Sequence, residues 1–254
     1  GKKPISEEEY TTNKVLTVFS VCLLGVLVLM VLQRLLDYAD TWRIGRITVG
    51  VLLAAGVAGI IWGIVLLARE LSGKREKGRR IICGRNVLIA SVILTLCMVL
   101  IGYVGTQPIK MLYVILPVLA VYYLIYHSYA PEFFLIALDS GIALGLMWLT
   151  HRSLATPENA WRAYAALGIA AVLTVVQLAC IWKLRGQKGK FKLRGRTVDS
   201  HFSRNAYTML TITPLLMTVL VAAVLLAPNH MLIAMGVAAA YLFVTAVYYT
   251  VKLM

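Results

Sequence analysis

Residues 206–227 read AYTMLTITPLLMTVLVAAVLLA. The run carries no Asp, Glu, Lys, Arg or His over 22 residues. At about 1.5 Å per residue, a helix of that length crosses the roughly 30 Å hydrocarbon core of a bilayer. A strand is the poorer reading, because the apolar positions are consecutive instead of alternating and an open strand leaves backbone groups unpaired in lipid. This stretch therefore predicts a membrane-spanning helix.

Seven more runs of the same kind follow on reading outward, near residues 15–36, 47–68, 86–105, 109–127, 132–150, 161–183 and 230–252. The expected fold is an all-α, polytopic integral membrane helical bundle of about eight transmembrane helices. Residues 1–14 (GKKPISEEEYTTNK) read as a truncated cytoplasmic tail, and 15–254 as a single transmembrane domain. The tail is too polar for a secretory signal, and the first apolar run is too long for a signal core and lacks a small-residue cleavage site after it. Only His127, Ser128, Tyr129, Ala130 and Pro131 separate the fourth and fifth runs, which leaves a buried hairpin as the alternative to two full spans there.

Composition agrees. Of 254 residues, 60% are hydrophobic and 14% charged, against about half and a quarter in soluble domains. The formal net charge of +14 would suit a nucleic-acid binder if its cations were spread over a soluble surface. They gather instead in short segments between apolar runs, which points to membrane orientation and away from nucleic acid. The main basic segments are RELSGKREKGRRIICGR at 69–85 and KLRGQKGKFKLRGRTVDSHFSR at 183–204. An even number of spans lies between them, so both are expected on the cytoplasmic side. With both termini there too, that side holds 19 of the 25 Lys and Arg residues. The rest, Arg34, Arg43, Arg46, Lys110, Arg152 and Arg162, fall opposite. Such a bias, with short outer loops and no N-x-[ST] acceptor, fits a bacterial-type cytoplasmic membrane.

Runs one to four and five to eight share a plan: a polar first loop, a long basic second loop, a short third. Four spans is an even number, so duplicated halves would run parallel, as two four-helix repeats about an axis along the membrane normal. An Arg-Asn pair opens the third run (Arg85, Asn86) and the seventh (Arg204, Asn205).

Asp139, within FFLIALDSGIALGLMWL, is the only acidic residue well inside a run. A carboxylate there costs on the order of 3 kcal/mol or more and needs compensation. Counting from the cytoplasmic ends places it roughly 10 Å deep, at the level of Gln177, Thr211, Thr213, Thr245, Tyr122 and Tyr123. These residues are candidates for a polar layer that binds a substrate or a proton. The alternative is structural, with Asp139 hydrogen-bonded between helices and the threonines bonded to their own backbone. Glu132 is expected near the interface, so no second carboxylate completes an acid pair.

Pro117 and Pro214 each remove a helix hydrogen bond and permit a kink. Gly59 and Gly63 continue a small-residue stripe from Ala55, and Gly141 and Gly145 repeat the pattern; internal packing is preferred to a dimer interface. Tyr122, Tyr123, Tyr126 and Tyr129 read as an interfacial belt, and His127 beside them as a solvated residue with no metal-site partners. Cys22, Cys97 and Cys180 sit in apolar runs and Cys83 in a basic loop, which implies no disulfide framework. KLRG occurs at 183–186 and again at 192–195 around glycines, a pattern suited to a small hairpin. Lys183, Arg185, Lys188, Lys190, Lys192, Arg194 and Arg196 are its candidates for holding anionic lipid headgroups or an acidic protein.

No phosphate loop, zinc-protease helix, paired CxxC, nucleophile elbow or dinucleotide fingerprint is present. Neither catalytic residues nor a cofactor or metal are expected. The scarcity of intramembrane polar groups favours a non-catalytic subunit or scaffold that packs against other membrane proteins. A small transporter or channel around Asp139 comes second, and a lipid-modifying enzyme third.

Overall fold

The computed structural model describes residues 7–72, 83–193 and 196–253. It contains eight long helices: α1 (Glu7–Asp37), α2 (Trp42–Leu71), α3 (Gly84–Val104), α4 (Gln107–Ser128), α5 (Pro131–Leu154), α6 (Ala160–Gly186), α7 (Ala206–Leu226) and α8 (Met231–Leu253). Each is long and apolar enough to cross a membrane. The protein is thus an all-α, multi-pass helical bundle. The fourth and fifth runs form two separate span-length helices, not a buried hairpin. Proline at the first position of α5 is the reason for the break: its fixed φ starts a helix, and it forces Ala130 into an extended conformation (ψ 147°).

Helix α1 begins at Glu7, well inside the expected tail. Three consecutive glutamates favour a helix start, where negative charge meets the positive end of the helix dipole. Between α6 and α7 lies the small hairpin that the repeated KLRG suggested: β1 (Lys190–Leu193) pairs antiparallel with β2 (Arg196–Asp199), in register Lys190 opposite Asp199 and Leu193 opposite Arg196. Most of the first basic loop, residues 73–82, lies outside the described residues, as does Arg194.

The chain forms two compact units, Gly1–Tyr123 and Leu124–Met254. In the first, α2 packs closely along α3, and α1 lies against α2. Glycines set the α2–α3 distance. A β-carbon at Gly63 would stand 2.9 Å from the backbone of Leu88, and one at Gly56 only 2.5 Å from the Thr95 hydroxyl. Gly59 likewise abuts the Ser91 hydroxyl, and Gly84 the backbone of Leu67. The Gly59/Gly63 stripe is therefore an internal packing face. Leu29, Leu32, Val49, Met98, Ile101, Ile109 and Leu112 fill the core of this unit. The Tyr113 hydroxyl donates to Gln33 Oε1 at 2.8 Å and ties α4 to α1.

In the second unit α5 is the hub, packed against α6, α7 and α8. Ala143, Met147, Ala170, Met217, Val221, Val224 and Ala238 form one core cluster. Phe133, Ile136, Ile181, Leu210 and Tyr249 form another nearer the start of α5. The outer surface is apolar: Leu226 is 85% exposed and Leu232 78%. A surface like this suits lipid and is uncommon on soluble proteins. The two units differ in which helix is central, since α1 has no role like that of α5 in the described packing.

Candidate functional site

The polar residues of α5, α6 and α7 meet around one backbone defect. Pro214 in α7 has no N–H, so the carbonyl of Leu210 one turn earlier loses its helical donor. The side-chain amide of Gln177, from α6, fills the gap. Its Nε2 donates to Leu210 O at 3.3 Å and to Asp139 Oδ2 on α5 at 2.7 Å. One amide has two N–H groups, and here they join three helices. Among the described residues Asp139 has no basic partner; the ion pair present is elsewhere.

One turn further along, the Thr174 hydroxyl lies 2.8 Å from Ala170 O, 3.3 Å from Pro214 O and 2.6 Å from the Thr218 hydroxyl. Asp139, Thr174, Gln177, Pro214 and Thr218, with apolar neighbours such as Ile142, Leu146, Leu173 and Met217, line a half-open pocket of about 30 Å³. That is room for about two waters.

Of the expected layer, Gln177 is joined to Asp139 and the others are engaged elsewhere. Thr213 is buried, donates to Met209 O at 2.7 Å and lies 2.6 Å from the Tyr241 hydroxyl on α8. Thr211 bonds to Tyr207 O at 2.7 Å. Thr245, also buried, bonds to the carbonyls of Tyr241 and Leu242. Tyr122 and Tyr123 belong to the first unit, where the Lys14 ammonium sits 5.8 Å from the centre of the Tyr123 ring. Thr174 and Thr218 complete the hydrogen-bonded set around Pro214, and sequence reading passed over them; Tyr241, read as part of an interfacial aromatic face, is the partner of Thr213. Threonines are common in spanning helices, and only the i, i+3 spacing of Thr174 to Gln177 and the i, i+4 spacing of Pro214 to Thr218 marked them.

A second polar cluster closes one end of this unit. Glu132, in the first turn of α5, is 1% exposed, enclosed by protein at the end of its span. Its carboxylate accepts the Ser203 backbone N–H at 3.0 Å, the Ser203 hydroxyl at 2.9 Å and the Lys252 ammonium at 3.3 Å. Nearby, the Tyr129 and Thr250 hydroxyls are 3.1 Å apart. The start of α5, the end of α8 and the segment before α7 thus meet at one end.

The basic segment leaves the same end. Lys183, Arg185, Lys188 and Lys190 are exposed. Lys192 and Arg196 fall on β1 and β2. Among the described residues no three His, Cys, Asp or Glu side chains group together as metal ligands, and Cys22, Cys83, Cys97 and Cys180 are free thiols.

Fold and site together define a multi-pass helical membrane protein with an internal polar link between three spans. Comparison with family profiles, with curated proteins and with solved structures gives no match.

Proposed function

We propose that the chain is a non-catalytic membrane subunit or scaffold of a larger complex. One observation carries this reading: the amide of Gln177 is spent on Asp139 and on the carbonyl that Pro214 frees. A polar group placed in the membrane calls for a function or a structural partner. Here the partner is in place, and the threonine hydroxyls around it bond to backbone carbonyls of their own helices. Such polar links hold spans in register while the apolar outer faces remain for lipid or for other membrane proteins.

A second reading, proton-coupled transport, draws on the small cavity beside Asp139. Its size suits water or a proton, with Asp139, Gln177, Thr174 and Thr218 along the way. Two experiments separate the readings. Native mass spectrometry of the protein, gently extracted from its own membrane, should find it with a stoichiometric protein partner. In proteoliposomes loaded with a pH-sensitive dye, the wild type and D139N should leak protons equally. A chain recovered alone, with proton flux that D139N abolishes, overturns the subunit reading in favour of transport.

A further inference from the structure

We infer that the neck between α6 and α7 is a binding site for the headgroups of anionic phospholipids. The inference holds for a subunit or for a transporter, since it concerns the rim of the second unit and not the link around Asp139.

The argument begins with how the neck is built. Helix α6 ends in a cap that takes up three of its last four carbonyls: Gln187 N–H donates to Lys183 O at 3.1 Å, Gly189 N–H to Leu184 O at 2.8 Å, and Lys188 N–H to Arg185 O at 3.2 Å. Lys188 and Gly189 take left-handed backbone conformations (φ 53° and 80°) to make this turn. The Ser200 N–H then donates to Gly189 O at 2.8 Å, which shuts the base of the hairpin. Three residues on, Ser203 is tied to buried Glu132 by two hydrogen bonds. The segment is thus fixed at both feet. A ligand that binds there pays little for ordering it.

Onto this frame the sequence places Lys183, Arg185, Lys188, Lys190 and Arg204, all exposed. Two acids, Glu132 and Asp199, lie near this frame. Glu132 is buried and holds Ser203 and Lys252, and Asp199 Oδ1 accepts the His201 N–H at 3.1 Å. Among the described residues these five cations form no ion pair. Asp199 is exposed and stands opposite Lys190 in the hairpin register, so it offsets part of this charge, and the five cations still outnumber it.

The position selects the partner. Trp182, 81% exposed, stands three residues before Arg185 and so shares its face of α6. An exposed tryptophan at the end of a span sits at headgroup depth. Cations beside it lie level with lipid phosphates, where each Lys or Arg attracts an anionic leaflet appreciably and a cluster selects acidic headgroups. Trp182 and Arg185, on one face of α6, would then lie against the headgroup layer, which favours a lipid over a soluble acidic protein.

The test uses the full chain, purified in detergent and mixed with equal amounts of phosphatidylglycerol and phosphatidylcholine of matched acyl chains. Native mass spectrometry counts the lipids retained. The wild type should prefer phosphatidylglycerol, and K183Q/R185Q/K188Q/K190Q should cut that preference by at least about tenfold. A variant that removes as many cations from the opposite side, R34Q/R43Q/R152Q/R162Q, should keep it. If the fourfold neck variant does not fold, K188Q/K190Q, which leaves α6 intact, should lower the preference about threefold. Equal retention of the two lipids by the wild type overturns the inference. So does equal loss in the neck and control variants, which would mark a net-charge effect. Displacement of the lipid by excess inorganic phosphate would mark a free-anion site instead and overturns it as well.

Discussion

Gln177 shows how a proline and a carboxylate can share one partner. Pro214 orphans the Leu210 carbonyl, Asp139 brings a costly oxygen into an apolar run, and a single amide serves both. Replacing Gln177 by Leu leaves two unpaired acceptors, with an expected loss of about 2 kcal/mol in thermal unfolding of the detergent-solubilised protein. D139N keeps an acceptor for the amide and should stay within about 1 kcal/mol of wild type. The mechanism makes a sharper claim for the pair of sites. P214A restores the N–H that Leu210 lacks, so Q177L should cost about 1 kcal/mol less in the P214A background than alone. Additive effects would mean that Gln177 does not compensate the proline.

At this scale the sequence was half legible. Counting along the spans set Asp139 and Gln177 at one level, because helical rise is uniform and the span ends were clear. It also set Thr211 and Thr245 there, but their hydroxyls bond to carbonyls of their own helices. Depth can be counted along one helix, whereas facing depends on how helices rotate against each other. Glu132 was missed as a buried group for the same reason: its partner Ser203 lies 71 residues away, in a loop whose path no local pattern predicts.

Among the elements, the eight helices were readable because each must pair its backbone internally in lipid, which leaves a continuous apolar run as the signal. Their edges shifted where helix-forming polar residues extended a span, as at Glu7. The glycine stripe in α2 was also readable, and its packing allows a test within one helix. Gly63 meets the Leu88 backbone, while Gly50 has open space where a β-carbon would go. G63A should therefore push α2 off α3 and cost about 1–3 kcal/mol. G50A should be neutral or gain up to about 1 kcal/mol from helix propensity. Thermal unfolding of the two purified variants decides it, and equal effects would show that the stripe does not set the helix spacing. In the neck, G189A faces both a positive φ and a β-carbon about 3.0 Å from the Tyr207 hydroxyl. A loss of about 1–3 kcal/mol is expected by the same measurement.

For the whole molecule, the geometry of the second unit bears on how the chain is threaded through the membrane. Glu132 at the start of α5, Ser203 before α7 and Lys252 at the end of α8 converge on one carboxylate, so those three chain positions share a side of the membrane. That is the arrangement an even number of spans requires between them. It also puts the neck cations and Lys252 at one end of the unit, and the positive-inside rule predicts that this end is cytoplasmic. In a background lacking Cys22, Cys83, Cys97 and Cys180, single cysteines at Ser128 and Gln187 should react with a membrane-impermeant thiol reagent only after cells are opened. Cysteines at Thr106 and Glu158, in the short connections before α4 and α6, should react on intact cells. A pattern inverted at all four positions would keep the eight-span parity and reverse the orientation. A split in which Ser128 reacts alongside Thr106 would mean that α4 does not cross, and the parity on which the layer around Asp139 was counted would fall with it.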